Sequence, residues 1–332
     1  MNHTVTQFVM EASVAESIAK SLNLPSVLHL LPHLVHSAQS LARPPISSFH
    51  VGAVGLGSDG RVFVGVNVEF PGVPLHHSIH AEQFLLTNLQ SHRCPSLLAL
   101  AVSAAPCGHC RQFFQELRRS ADLQILVTDH LNCVQNHDRI GMPDVKTPDF
   151  VPLLRFLPNP FGPRDLLDDE TPLLLEKHHN RLDLPDHDEN PPILCNGNHN
   201  SPKLTNGNHE IDESLLKKAA LEAANDAHAP YSGCPSGVAL MDCEGKVYKG
   251  SYAESAAYNP SLGPVQAALV AYIARGGGDY ERIVAAALVE TKTAKIRQDD
   301  TARLLLKAIS PKCELRVYHC QLAGNVCKKV PA

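Results

Sequence analysis

The sequence predicts a layered α/β chain in which one domain fold occurs twice. Three observations carry that prediction. Helix-like and strand-like segments alternate from Ser47 onward, and several of the strands are continuously apolar, as strands of a covered sheet are. Glycine-marked hairpins recur late in the chain in the register of early ones, which is the mark of an internal repeat. With 332 residues, 44% of them hydrophobic, the chain is long enough for two cores.

In residues 1–43, apolar residues at helical spacing alternate with Pro25 and Pro32, which predicts two or three short helices as a separate N-terminal segment. Residues 49–54 and 61–66 read as strands, joined by the hairpin signal Ser58-Asp59-Gly60. Residues 80–90 read as a helix that turns Phe84, Leu85 and Leu89 inward. Residues 97–102 form an apolar run and hence a buried strand, 108–119 a second helix, and 123–128 another strand.

Residues 157–210 are richer in Pro, Asp, His and Asn, and Asn196-Gly197-Asn198-His199 recurs as Asn206-Gly207-Asn208-His209. Such a stretch buries little, so it reads as a linker whose later part is disordered. Its histidines, His178, His179, His187, His199 and His209, read as solvated. Beyond it, residues 235–240 and 244–250 echo the first hairpin. Gly237, Gly245 and Gly250 follow Gly52, Gly60 and Gly65 at one constant offset, and Glu254 follows Glu69. The organisation expected is therefore a helical segment (1–43), a first domain (44–156), the linker and a second copy (211–325). After a two-residue shift, His80-Ala81-Glu82-Gln83 falls on Gly263-Pro264-Val265-Gln266, and nothing around residues 292–297 replaces the cysteine pair. The second copy is expected to lack a metal site.

A net charge of −5 does not suit a protein that grips a phosphate backbone, so no nucleic-acid partner is expected. No apolar run is long enough for a bilayer, and the first sixteen residues hold no Lys or Arg of the kind targeting peptides carry. Ten cysteines without a secretion signal suggest a reducing compartment. A cytoplasmic protein with no membrane partner is the expectation.

The informative residues are His80-Ala81-Glu82 and Pro106-Cys107-Gly108-His109-Cys110, each opening a predicted helix. One His and two Cys are ligands that zinc prefers, and three protein ligands leave a fourth position for water, as in catalytic rather than structural sites. Glu82, two residues after His80, can face the same metal and take a proton from that water. His109 would crowd Cys110 as a ligand and is expected to point away. His-x-Glu followed by Pro-Cys-x-x-Cys is the known signature of zinc deaminases.

The stretch 49–117 resembles cytidine deaminase. Phe-His-Val-Gly-Ala, Gly-Val-Asn-Val-Glu-Phe, His-Ala-Glu-Gln and Pro-Cys-Gly-His-Cys-Arg-Gln-Phe all match. With a degenerate second copy, the chain is similar to the two-domain, homodimeric form of that family. The resemblance implies a three-layer α/β/α fold with a mixed sheet in both halves. It implies zinc held by His80, Cys107 and Cys110, and Glu82 as the catalytic proton shuttle. It further implies Asn67 and Glu69 on the ribose hydroxyls, Phe49 on the pyrimidine, and Phe161 in a segment that covers a neighbouring subunit's site. Phe49 also reads as an ordinary core residue, and Phe161 as packing at the domain junction. Single-domain relatives carry three cysteines and an Arg where this chain has Gln83. With one neutral His in place of a thiolate, that Arg is not needed.

The expected reaction is hydrolytic deamination of cytidine and deoxycytidine to uridine and deoxyuridine, in pyrimidine salvage. Two rivals remain open at this level. One is a polynucleotide-editing deaminase, which turnover of free nucleoside against oligonucleotide would separate. The other is a zinc-stabilised interaction module, against which the retained Glu82 argues.

Overall fold

The computed structural model describes residues 7–128, 149–185, 193–194, 205–206, 209–210 and 212–323. The chain divides into two compact units. The first holds residues 1–177 with two short segments from later in the sequence, Ser255–Ser261 and Ala274–Gly276, and the second holds the remainder.

In the first unit, β1 (Val9–Met10), α1 (Ala12–Ser21) and α2 (Val27–Gln39) precede the hairpin β2 (Gly52–Gly57) and β3 (Val62–Val66). Then come α3 (Ala81–Ser91), β4 (Leu97–Val102), α4 (Gly108–Phe113), β5 (Gln124–Val127), β6 (Val151–Pro152) and α5 (Leu153–Phe156). The sheet order is β1-β3-β2-β4-β5-β6, with only β4 and β5 parallel. The sheet is therefore mixed.

Two glycines show that it is covered on both faces. A Cβ on Gly52 would strike the backbone of α2, and one on Gly65 would strike Ala81 and Leu85 of α3. Gly65 pairs across the hairpin with Ala53, the neighbour of Gly52, and successive strand residues point to opposite faces. Helices α2 and α3 thus lie on opposite faces, which makes three layers. Among its described residues the 1–43 segment holds two helices, the lower of the numbers expected, because Pro32 sits inside α2 without breaking it. Leu30, Leu31, Leu34, Val35 and Ala38 are all buried on that helix, and their burial outweighs the backbone bond that a proline forfeits. Because α2 is one face of the core, the 1–43 segment belongs to the first unit instead of standing apart.

Two other boundaries differ from expectation. Strand β2 begins at Gly52 and not at Phe49, because the Asn67 side chain takes the place of a ladder partner. It accepts from Val51 N at 2.8 Å and donates to Phe49 O at 2.9 Å. The helix expected over 108–119 ends at Phe113 and passes into a 3₁₀ turn, Phe114–Glu116. The Glu116 carbonyl that would continue it accepts instead from Leu174 N at 3.1 Å.

That bond also corrects the linker. Leu173 and Leu174 are buried, and Arg118 holds Glu176 at 2.7 Å, so this stretch is packed wall. His178, expected to be solvated, sets Nε2 2.9 Å from the Ala227 carbonyl of the second unit. The chain passes from the first unit to the second between Lys177 and His178, inside the segment read as linker. The first Asn-Gly-Asn-His copy, His187 and most of the later linker lie outside the described residues.

The second unit repeats the plan. It holds β7 (Leu182–Asp183), β8 (Ile193–Leu194), the small hairpin β9 (Thr205–Asn206) and β10 (His209–Glu210), and α6 (Glu213–Asn225). The hairpin β11 (Ser236–Asp242) and β12 (Val247–Ser251) follows, then α7 (Pro264–Ala274), β13 (Ile283–Thr291), α8 (Asp299–Ile309) and β14 (Glu314–Leu322). Its sheet runs β12-β11-β13-β14-β7, with β8 also on β14 and only β13 and β14 parallel. Gly237 meets α6 and Gly250 meets α7 as their counterparts meet α2 and α3, while Gly60 and Gly245 turn their hairpins at φ +83° and +80°.

Gly65→Ala is expected to destabilise the first unit by about 3 kcal/mol, the upper part of the overpacking range, because backbone and not a flexible side chain opposes the new methyl. Urea unfolding measures it, and a loss below about 1 kcal/mol would mean that α3 can retreat from the sheet.

Candidate active site

Gly65 matters because it lets β3 lie directly against the start of α3, where His80 is the N-cap and Glu82 is in the first turn. The Gln83 side chain accepts from His80 N at 3.2 Å, one half of a capping box. Cys107 is the N-cap of α4, and Cys110 lies in that helix's first turn. Strand β4 ends at Val102 and delivers the loop before Cys107.

These elements bring His80, Cys107 and Cys110 together, the one such group of metal-ligating side chains among the described residues. The Cys107 and Cys110 sulfurs are 3.7 Å apart, and His80 Nδ1 lies 3.4 and 3.3 Å from them. A tetrahedral zinc with bonds of about 2.3 Å to sulfur and 2.0 Å to nitrogen requires ligand separations of roughly 3.5–3.8 Å. The triangle fits zinc in both donor chemistry and size, and Nδ1 is the nitrogen turned to it. A hydrogen bond from the Cys110 thiol, then His80, pulls Cys107 down to about 3. The same bond and burial push Cys110 well up. His80 is raised, chiefly by Cys107. Cys107 is thus held as a thiolate, while Cys110 and His80 give up their protons when a cation binds. His109 stands outside the triangle, stacked on His80 with ring centroids 5.3 Å apart.

Glu82 is buried, and burial pushes its carboxyl above the usual range. It borders a cavity of about 320 Å3 together with His80, Cys107, Ala104, Asn67, Glu69 and Phe49. All the sequence-assigned residues except Phe161 and the buried Cys110 therefore line one cavity. Phe49 is 57% exposed, so the alternative that it is a core residue fails. Phe161 is 47% exposed, and its carbonyl accepts from the Gln112 side chain.

Sequence reasoning missed what Asn67 and Glu69 do besides lining the cavity. Glu69 accepts from Ile46 N and Ser47 N, both at 2.9 Å, and from Ser47 Oγ at 2.6 Å. Burial pushes its carboxyl up, but those bonds prevail and hold it below the usual range. Glu254 makes the same three bonds to Tyr231 and Ser232 in the second unit. The shared glutamate thus clamps a loop in both repeats. In the first, the cavity lies beside it. On Glu69, Oε2 takes two of these bonds and Oε1 one, so Oε1 keeps acceptor capacity, and Asn67 keeps one N–H. The sequence signal was available in the register of Ser47 with Ser232.

At the positions aligned with the ligand helix, the second unit has Gly263, Pro264, Val265 and Gln266, the last three buried at the head of α7. Where the cysteine loop would follow, buried Glu290 accepts from Gln298 N at 2.8 Å and Arg297 Nε at 3.2 Å.

Three convergent ligand atoms beside a buried carboxyl define a metal-dependent hydrolytic centre. Two profiles of one family match the chain. Both are described as the cytidine and deoxycytidylate deaminase zinc-binding region, over residues 26–125 and 153–303. The chain is 56% identical to cytidine deaminase 1 of Arabidopsis thaliana over 94% of its own length and 97% of that relative's. It is 48% identical to cytidine deaminase 6 of the same plant, covering 87% and 91% of the two chains. It is 39% identical to that plant's probable inactive cytidine deaminase 4, covering 92% and 93%. Among solved structures, the cytidine deaminase of Mycobacterium tuberculosis aligns with 40% of this chain and 95% of its own at 31% identity and a TM-score of 0.31. The chain belongs to the zinc-binding cytidine and deoxycytidylate deaminase family.

Proposed function

We propose that the protein hydrolyses cytidine and deoxycytidine to uridine and deoxyuridine with release of ammonia, in cytoplasmic pyrimidine salvage. One observation carries the reading: the buried Glu82 carboxyl shares a nucleoside-sized cavity with the three ligand side chains. That volume lies at the small end of ligand pockets, which suits a nucleoside better than a polynucleotide. Every described cysteine is a free thiol, in keeping with a reducing compartment.

In this reading, His80, Cys107 and Cys110 hold zinc and leave its fourth position to the reacting groups. Bound there, the metal supplies Lewis acidity and lowers the pKa of water. Glu82 takes one proton from the attacking water and passes it to ring N3. It then takes the second from the new C4 hydroxyl and delivers it to the departing amino group, which leaves as ammonia. A carboxyl whose pKa burial has raised is suited to holding that proton between steps. Asn67 and Glu69 hold the ribose hydroxyls with the hydrogen-bonding capacity their loop contacts leave free. Phe49 offers its exposed ring to the pyrimidine. The first repeat carries the chemistry, and the second, over residues 211–325, is non-catalytic. Ammonia release from cytidine tests the reading. It is expected to cease after zinc is stripped by a chelator and to return with added zinc. Turnover that survives complete zinc removal would refute it.

The same reading makes the enzyme a homodimer in which Phe161 covers the partner's cavity. An apolar ring 47% exposed, in a loop flanked by Pro160 and Pro163, supports it. Phe161→Ala is expected to leave a folded dimer with cytidine KM raised about tenfold, by loss of water exclusion and apolar contact. A monomer in sedimentation, or an unchanged KM, would overturn the assignment.

A further inference from the structure

We propose that Ser255–Ser261, a strap drawn from the sequence of the second repeat but packed as part of the first unit, fixes the geometry of the metal ligands through Gln83, making Gln83 a positioning residue. The proposal rests on His80, Cys107 and Cys110 being the zinc ligands. It adds a task for residues to which the reaction itself gives none.

The argument starts with an amide that has no freedom. Gln83 is 2% exposed. Its Nε2 donates to Pro260 O at 2.9 Å and lies 3.2 Å from His109 Nε2, which accepts when the His109 proton is on Nδ1. A carbonyl can only accept, so the group facing Pro260 must be the NH2. The oxygen is then committed to His80 N, the N-cap of the helix that carries the first ligand and Glu82. With both N–H groups engaged, the side chain cannot turn without orphaning buried polar atoms. Gln83 thereby joins the strap to His80 through its backbone and to the ring stacked on His80.

The strap's other end holds the other ligand helix. Fully buried Glu116, in the turn that continues α4, accepts from Ala256 N at 2.8 Å. Between these anchors the strap is closed on itself. Tyr258 N donates to Ser255 O, Ser261 N donates to Tyr258 O, and Ser255 N donates to Ser261 Oγ at 3.0 Å. Tyr258 is held at φ +62°, a conformation that costs a non-glycine residue energy and survives only where its surroundings impose it. A stiff seven-residue turn thus spans two helices whose first turns supply all three ligands. The aligned amide of Gln266 has no such use, and its Oε1 has no hydrogen-bond partner. The strap thus has a task in the first unit although its own repeat lacks ligand residues at the aligned positions.

Partners that orient metal ligands typically contribute 10–100-fold to metal affinity or activity. In the full-length zinc-loaded protein, Gln83→Leu is expected to release zinc to a competing chelator at least tenfold faster. It should shift the visible absorption of the cobalt-substituted protein and lower kcat about tenfold with KM for cytidine within twofold. Inserting two glycines between Asn259 and Pro260 touches neither ligand helix and is expected to act in the same direction. If Gln83→Leu does not fold, the insertion alone decides. Wild-type release rate and cobalt spectrum in the folded insertion variant would overturn the proposal, whatever Gln83→Leu does. A wild-type protein that binds no zinc would instead refute the ligand assignment.

Discussion

Glu82→Ala is expected to retain one zinc per chain and the wild-type fold while losing turnover by a factor of about 10⁴, the upper end for a positioned general acid and base. The carboxylate contributes no atom to the ligand triangle, so removing it leaves the sulfurs and His80 Nδ1 in place. It is also buried, and the loss of a buried carboxyl raised by desolvation relieves the native state of a group costly to ionise. The variant is therefore expected to be no less stable at neutral pH. Cys107→Ala is the complementary change. It removes a vertex of the triangle, and zinc content should fall to below about a tenth of a metal per chain, since three protein ligands are the minimum of a catalytic site. Metal analysis and ammonia release on both variants separate the two roles. A Glu82→Ala protein that loses its zinc, or one within tenfold of wild-type turnover, would show that Glu82 is a ligand or a bystander.

Free cytosine is expected to react at least about 10⁴-fold less efficiently than cytidine, because a site built to hydrogen-bond hydroxyls is left with unpaired polar groups when they are missing. Asn67 and Glu69 are the groups concerned, and their clamping bonds sharpen the test. Glu69→Ala removes both the ribose contact and the clamp on Ile46 and Ser47, so discrimination should collapse together with some stability. Glu254→Ala removes the equivalent clamp in the second unit, where no ribose is proposed to bind. It should cost comparable stability and leave the cytidine-to-cytosine ratio of kcat/KM unchanged. Equal turnover of cytosine and cytidine by the wild type would end the ribose assignment, and a changed ratio in Glu254→Ala would assign the effect to stability alone.

The local chemistry was legible in the sequence because it is written at short range. His80, Glu82, Cys107 and Cys110 sit at or just inside two helix starts, and such starts are recognised from adjacent residues. The paired glycines revealed the duplication for a related reason. A tight turn at φ +83° disfavours any side chain and a strand laid on a helix backbone leaves no room for one, so Gly60 and Gly65 leave a fixed mark in both repeats. Tertiary structure alone decided the rest. Pro32 sits inside α2 because the surrounding core outweighs its lost bond, and the turn after Phe113 forms because Leu174, distant in sequence, claims the Glu116 carbonyl. The linker read from its polar composition hides Leu173 and Leu174, two residues too few to show as a periodic pattern yet enough to seal a wall. The bonds from Gln83 to Pro260 and from Ala256 to Glu116 join residues far apart in the chain. Hydrogen-bond partners at such separation leave no spacing to read, because they are chosen by the path of the backbone in space and not by the order of residues along it.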